Sequence, residues 1–176
     1  MMKLAQISVA LIAAAGLAWT AAGCKDGGGG ALSLDEYFEE YEQLDNEAEN
    51  GTADLEREYD AALTSTTLND DVRTDLQEFY TKQIDVRQEY VDEISKLDPP
   101  NEAQAAHDAS ISSYEAVLAA FTGIIDDIGE AQTASDLETI FSGEGLSAAI
   151  EAATKACIDL QQVADDNNIN VNLECE

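Results

Sequence analysis

Proline occurs in this 176-residue chain only as the pair Pro99-Pro100, and that one obligatory break constrains the fold more than any other feature. Proline lacks a backbone N–H and pushes the residue before it out of helical geometry, so a helix must end near Leu97-Asp98 and another can start after Pro100. Elsewhere, beyond the glycines at 27–30, nothing forbids helix, and apolar residues recur in steps of three and four. The first stripe runs Leu34, Tyr37, Tyr41, Leu44, Ala48, Leu55, Tyr59 and Ala62, with Thr52 in the remaining step and Ser33 with Glu36 as a capping box. Asn50-Gly51 would ordinarily mark a turn, but the stripe keeps its phase across it, which predicts one long, kinked helix. A second stripe follows Asn69 as cap: Val72, Leu76, Phe79, Val86, Tyr90, Ile94 and Leu97. The third holds His107, Ile111, Tyr114, Leu118, Phe121, Ile125 and Ile128 and closes at Gly129. The fourth opens on a capping box of Ser135 with Glu138, is interrupted near Gly143 and Gly145, and resumes through Leu146, Ile150, Ala153, Cys157, Leu160 and Ala164. Four amphipathic segments joined by short connections predict an all-α fold, an up-down antiparallel bundle of about four helices.

After Ala164 the period changes to two. Ile169, Val171, Leu173 and Cys175 alternate with Asn170, Asn172 and Glu174, the pattern of an extended segment with one apolar face. No second strand is available to pair with it, so the tail is expected to lie along the bundle as a strap. A turn near Asn167-Asn168 returns Cys175 to the level of Cys157, which predicts a disulfide linking the tail to the last helix.

The other end of the chain is an address. Met1-Met2-Lys3, an apolar run from Leu4 to Trp19, and the small residues Thr20-Ala21-Ala22-Gly23 before Cys24 are the three parts of a secretory signal. Small residues ahead of a cysteine resemble the lipobox of bacterial lipoproteins, in which a diacylglycerol is attached to the thiol and the chain is cut just before it. Ala21 stands where that family usually has leucine. The resemblance implies a signal peptide over 1–23, lipid attachment at Cys24, a tether over 24–32 containing Lys25-Asp26-Gly27-Gly28-Gly29-Gly30, and an acidic helical-bundle domain over 33–176. From the residues alone, an uncleaved anchor and ordinary cleavage after Ala22 stay open as alternatives. Cysteine parity favours the lipid: of three cysteines in a chain bound for an oxidising compartment, Cys157 and Cys175 pair if Cys24 is acylated.

Removal of residues 1–23 leaves 153 of the 176, enough for one domain with a real core. The 37 acidic against 8 basic residues give a formal net charge of −29, which excludes nucleic acid as a partner and repels anionic headgroups. Such a surface serves solubility, or it attracts cations or a basic partner.

No catalytic, metal or cofactor constellation is evident. His107, the only histidine, falls on a buried stripe beside the proline turn, a setting for a hydrogen-bonded core residue rather than a ligand or base. The stretch from Asp45 to Glu56 places acids at the first, third, fifth and twelfth positions of a calcium-loop frame, but Asn50 holds the sixth place, where glycine belongs, and Gly51 is seventh. The unbroken stripe through Leu55 favours helix there. Tyr37, Tyr41, Tyr59, Tyr80, Tyr90 and Tyr114 are expected to bury their rings with hydroxyls at the rim; alternatively they line a cleft that holds an organic cation between ring faces and acids.

Three features taken together are similar to a loose group of uncharacterised bacterial lipoproteins: Ala22-Gly23-Cys24; Leu97-Asp98-Pro99-Pro100 with His107 in the next helix; and Leu160-Gln161-Gln162-Val163-Ala164-Asp165 with the alternating tail. The resemblance implies an exported helical domain and brings no activity with it. The expectation is a lipoprotein anchored to the cell membrane through Cys24 on the extracytoplasmic side, acting as a non-enzymatic binding or interaction domain for a neutral or basic envelope partner. A cation- or small cationic ligand-binding bundle is the alternative, and a hydrolytic enzyme comes third.

Overall fold

The computed structural model describes residues 31–175; the signal segment, Cys24 and most of the tether lie outside the described residues. Six helices follow in order: α1 (Leu34–Glu58), α2 (Asp60–Leu63), α3 (Asp70–Ile94), α4 (Asn101–Glu130), α5 (Ala134–Phe141) and α6 (Glu144–Asp166). The expected four segments survive as α1–α2, α3, α4 and α5–α6, two of them interrupted.

Local chemistry sets most of the helix ends. Ser33 and Glu36 form the reciprocal capping box that starts α1. Just before it, the Leu32 N–H donates to the Asp98 carbonyl at 2.9 Å, tying the entering chain to the proline turn. Helix α1 passes through Asn50-Gly51 without a break, because Gly51 is needed for a close approach rather than a turn: a Cβ there would sit 3.1 Å from Val86 Cγ1 on α3. The interruption comes instead at Tyr59, and α2 resumes immediately. Asn69 caps α3 by accepting from the Val72 N–H at 2.9 Å. The helix ends at Ile94 rather than Leu97, since Lys96 and Leu97 wind into tight turns before the prolines. Pro100 stands as the N-cap of α4, and Gly129 does not end that helix; it makes room for Gln77, whose amide donates to the Ile125 carbonyl at 3.0 Å. The capping box of α5 is Thr133 with Asp136, two residues before the expected Ser135 and Glu138. Asp136 also accepts from the Gln132 N–H, which settles the competition between the two overlapping boxes. Ser142-Gly143 separates α5 from α6.

Helix α3 packs on α1 and α4, and α4 packs on α6. Tyr90 of α3 meets Tyr41 of α1 and Tyr114 of α4, whereas Phe79 meets Tyr59 and Tyr80 meets Phe121. Rising numbers on α1 and α4 thus meet falling numbers on α3. The main core joins Tyr37, Phe38, Tyr41, Ile94, Leu118 and Leu160 with others. A second cluster around Ile128 and Leu137 closes the opposite end.

A left-handed residue turns the chain out of α6. Asn168 has φ 58°, its N–H donates to the Asp165 carbonyl, and the Ile169 N–H donates to the Ala164 carbonyl at 2.9 Å, a Schellman closure with asparagine in the place glycine usually takes. Residues 168–175 then form neither helix nor strand. The Gln161 side chain substitutes for a partner strand, donating to the Val171 carbonyl at 3.1 Å and accepting from the Leu173 N–H at 2.8 Å. Leu173 is 4% exposed, Ile169 and Val171 pack on the same core, and Cys157 and Cys175 are joined with their Cα atoms 5.5 Å apart.

Closing a loop of sequence separation 18 removes unfolded-state entropy equivalent to about 3 kcal/mol. The double variant Cys157→Ser, Cys175→Ser should lose about that much in urea unfolding. An unchanged midpoint would show that Gln161 and Leu173 hold the tail unaided.

Candidate functional site

A polar seam lies inside the main core. Tyr37 and Tyr41, one turn apart on α1, reach His107 and Ser110, one turn apart on α4: the Tyr37 hydroxyl and His107 Nδ1 share a hydrogen bond of 3.1 Å, and the Tyr41 and Ser110 hydroxyls share one of 2.9 Å. Ser113 turns its hydroxyl back to the Ser110 carbonyl at 2.8 Å. Tyr37 is 0% and His107 3% exposed, and burial pulls the imidazole below its ordinary range while pushing the tyrosines up. The seam therefore holds a neutral imidazole and protonated phenols with no opening to a substrate. His107 ties α1 to α4, in line with its expected role as a hydrogen-bonded core residue.

One turn further along α1, Asp45 faces the interior half-buried. Burial raises it above its ordinary value, opposed by the Arg87 guanidinium and by the Tyr90 hydroxyl, which reaches toward it without completing a hydrogen bond of ordinary geometry. Nε and Nη2 of Arg87 are likewise buried without hydrogen-bond partners.

The calcium-loop frame is overturned by the helix that runs through it. Residues 45–56 are continuous α1, which spreads Asp45, Glu47, Glu49 and Glu56 around a cylinder instead of converging them on one ion. Among the described residues no group of three or more His, Cys, Asp or Glu is placed to hold a metal.

The six tyrosines do not line one cleft. Tyr37 and Tyr41 are sealed in the core, and Tyr90, 3% exposed, shows only a sliver of its surface, at the groove between α1 and α3. Tyr80 and Tyr114 border a narrow apolar slot of about 30 Å³ between α3 and α4, room for little more than a water. Tyr59 holds a cation of the chain's own: Lys82 Nζ lies 4.9 Å from the ring centre, with Glu58 at 2.9 Å and Glu78 at 3.4 Å.

The larger concavity, about 260 Å³, lies between α1 and α3. Leu44, Ala48, Gly51, Val86 and Tyr90 line it together with Glu47, Glu89 and Glu93. Sequence reasoning missed this groove because its walls come from two helices whose register the sequence does not state. Gly51 kept in a helical stripe, and Glu89 with Glu93 one turn apart, were the available signals. No described helix is long and apolar enough to cross a membrane.

Because the fold raises Asp45 above its ordinary value of 3.8, its neutral form is favoured in the folded state, and that contribution is lost as pH rises through the raised value. Asp45→Asn should therefore match the parent in melting temperature at low pH, exceed it as pH rises above the ordinary carboxylate value, and hold that excess once the raised value is passed. A difference that shrinks with rising pH would mean that the attraction to Arg87 outweighs burial.

No family model matches the chain, and no curated protein or solved structure matches it either.

Proposed function

We propose that this chain is an extracytoplasmic lipoprotein: residues 1–23 are removed, Cys24 is acylated and holds the chain at the cell membrane, and the helical domain is a non-enzymatic binding module for a neutral or basic envelope partner. The observation that carries the anchor is cysteine parity. The Cys157–Cys175 disulfide consumes two of the three cysteines and leaves Cys24, behind Ala22-Gly23, as the odd one. An exported chain with an unmodified Cys24 would display a reactive thiol on a glycine-rich leash. The four segments α1–α2, α3, α4 and α5–α6 run alternately up and down, with the tail strapped back along α6. That arrangement is supported by the short connections and by the opposed register of α1 and α4 against α3.

A binding role is supported by where the chemistry sits. The only histidine is sealed against Tyr37, so a hydrolytic mechanism finds little support, and the net charge of −29 turns away phosphate-bearing partners. The groove between α1 and α3 favours the second reading, a small cationic ligand.

The anchor and the partner are tested together in native cells. Cys24→Ser should move the protein out of the membrane fraction, and the intact N-terminus should map to a lipid-modified Cys24. Crosslinking of the wild-type chain should retrieve a defined envelope partner that the released variant no longer finds. A mature N-terminus at Gly23 or Met1, or membrane retention of Cys24→Ser, contradicts the proposal.

A further inference from the structure

We infer that the groove between α1 and α3 is a binding site for a small organic ammonium ion, its charged head among Glu47, Glu89 and Glu93 and its apolar body on Val86, Ala48 and the Tyr90 ring. The inference rests on reading the domain as a binding module and names what that module takes.

Size, lining and charge converge on this class of ligand. A concavity of about 260 Å³ is large enough for a short alkyl or aryl chain, and its floor is apolar because Gly51 brings α1 close to Val86 and contributes no side chain of its own. The charged residues that line it are three glutamates, with neither lysine nor arginine among the lining residues. Glu47 accepts a hydrogen bond from Gln43 at 2.9 Å, and Glu93 pairs outward with Lys96. A neutral occupant would leave Glu47 and Glu89 without a counter-charge, and an anion is repelled by the rim.

A bare metal ion is the wrong occupant. Glu47, Glu89 and Glu93 are not among any metal-holding group of the described residues, so the carboxylates do not converge on a single point. An occupant with breadth answers all three acids at once and uses the apolar floor, which a hard cation cannot. The chain already holds one ammonium by the same means: Lys82 sits over the Tyr59 ring between Glu58 and Glu78. In the α1–α3 groove the acids are likewise present, and of the three glutamates Glu93 alone has a lysine of the described residues beside it, Lys96, which leaves Glu47 and Glu89 for a cation from outside the chain.

The test is calorimetric titration of the full chain, purified in detergent at fixed ionic strength, with hexylammonium. Hexanol is the body without the charge, ammonium the charge without the body, and a lysine-bearing peptide the protein-borne form of the same chemistry. Saturable binding of hexylammonium at a single site, with hexanol and ammonium both failing, is expected. Replacing Glu47, Glu89 and Glu93 together by glutamine should weaken it about tenfold or more. The charge-matched variant Glu115→Gln, Glu138→Gln, Glu151→Gln, on exposed positions of other helices, should stay within about twofold. Equal weakening in both variants would reduce the effect to a diffuse acidic atmosphere and overturn the site. Competition by magnesium at matched ionic strength, binding of the peptide without hexylammonium, or no saturable binding would overturn it as well. Each of these leaves membrane retention through Cys24 and the crosslinked partner untouched, so failure of the groove and failure of the tethered-module reading are separable.

Discussion

The structure depends on two hydrogen-bonded pairs that cross its core, Tyr37 with His107 and Tyr41 with Ser110. Helices α1 and α4 do not pack side by side; α3 lies against both, and the tyrosines are long enough to bridge from α1 to α4 past it. An all-apolar core would tolerate a slip of one turn at modest loss, since leucine against leucine has no preferred partner. A buried hydroxyl opposite a buried imidazole does not tolerate it, because a slip strands both groups without water. The pairs therefore select one register of α1 against α4, and α3 must fit between. Tyr90, wedged edge-on between Tyr41 and Tyr114, carries the same selection into α3.

That register has two consequences. It sets Val86 against Gly51, so that α1 and α3 approach closely, and it leaves Glu47 on one wall of the resulting groove with Glu89 and Glu93 on the other. It also turns Asp45 inward, toward Arg87 and Tyr90, in a chain whose other carboxylates mostly face water. In a chain of net charge −29 the domain works against its own repulsion, and the seam and the disulfide-bound tail supply cohesion that surface ion pairs cannot.

Much of this was legible in the sequence wherever a local rule decided the outcome. The Ser33–Glu36 box, the Asn69 cap, the break at Pro99-Pro100 and the burial of His107 each followed from residues a few places apart, and the Cys157–Cys175 link followed from chain reach and parity. What escaped was decided across helices. The phase of the stripe carried α1 through Asn50-Gly51, but the need for that glycine shows only when Val86 is placed against it, and Gly129 looks like a helix end until Gln77 is placed beside it. Two overlapping capping boxes competed at the start of α5, and the extra bond from Gln132 chose Thr133 over Ser135. The interruptions at Tyr59 and Ser142 had no strong local breaker to announce the first and two glycines to announce the second. The calcium frame failed because acid spacing in one dimension says nothing about convergence in three.

The claim that the cross-core pairs choose the register is tested most directly by a double-mutant cycle on Tyr41→Phe and Ser110→Ala, read by equilibrium unfolding. If the hydroxyls select each other, the single variants each cost about 1 kcal/mol or more while the double variant costs clearly less than their sum, a coupling of about 1 kcal/mol. Additive losses would show that the pair is incidental to a core held by shape alone, and would contradict the account.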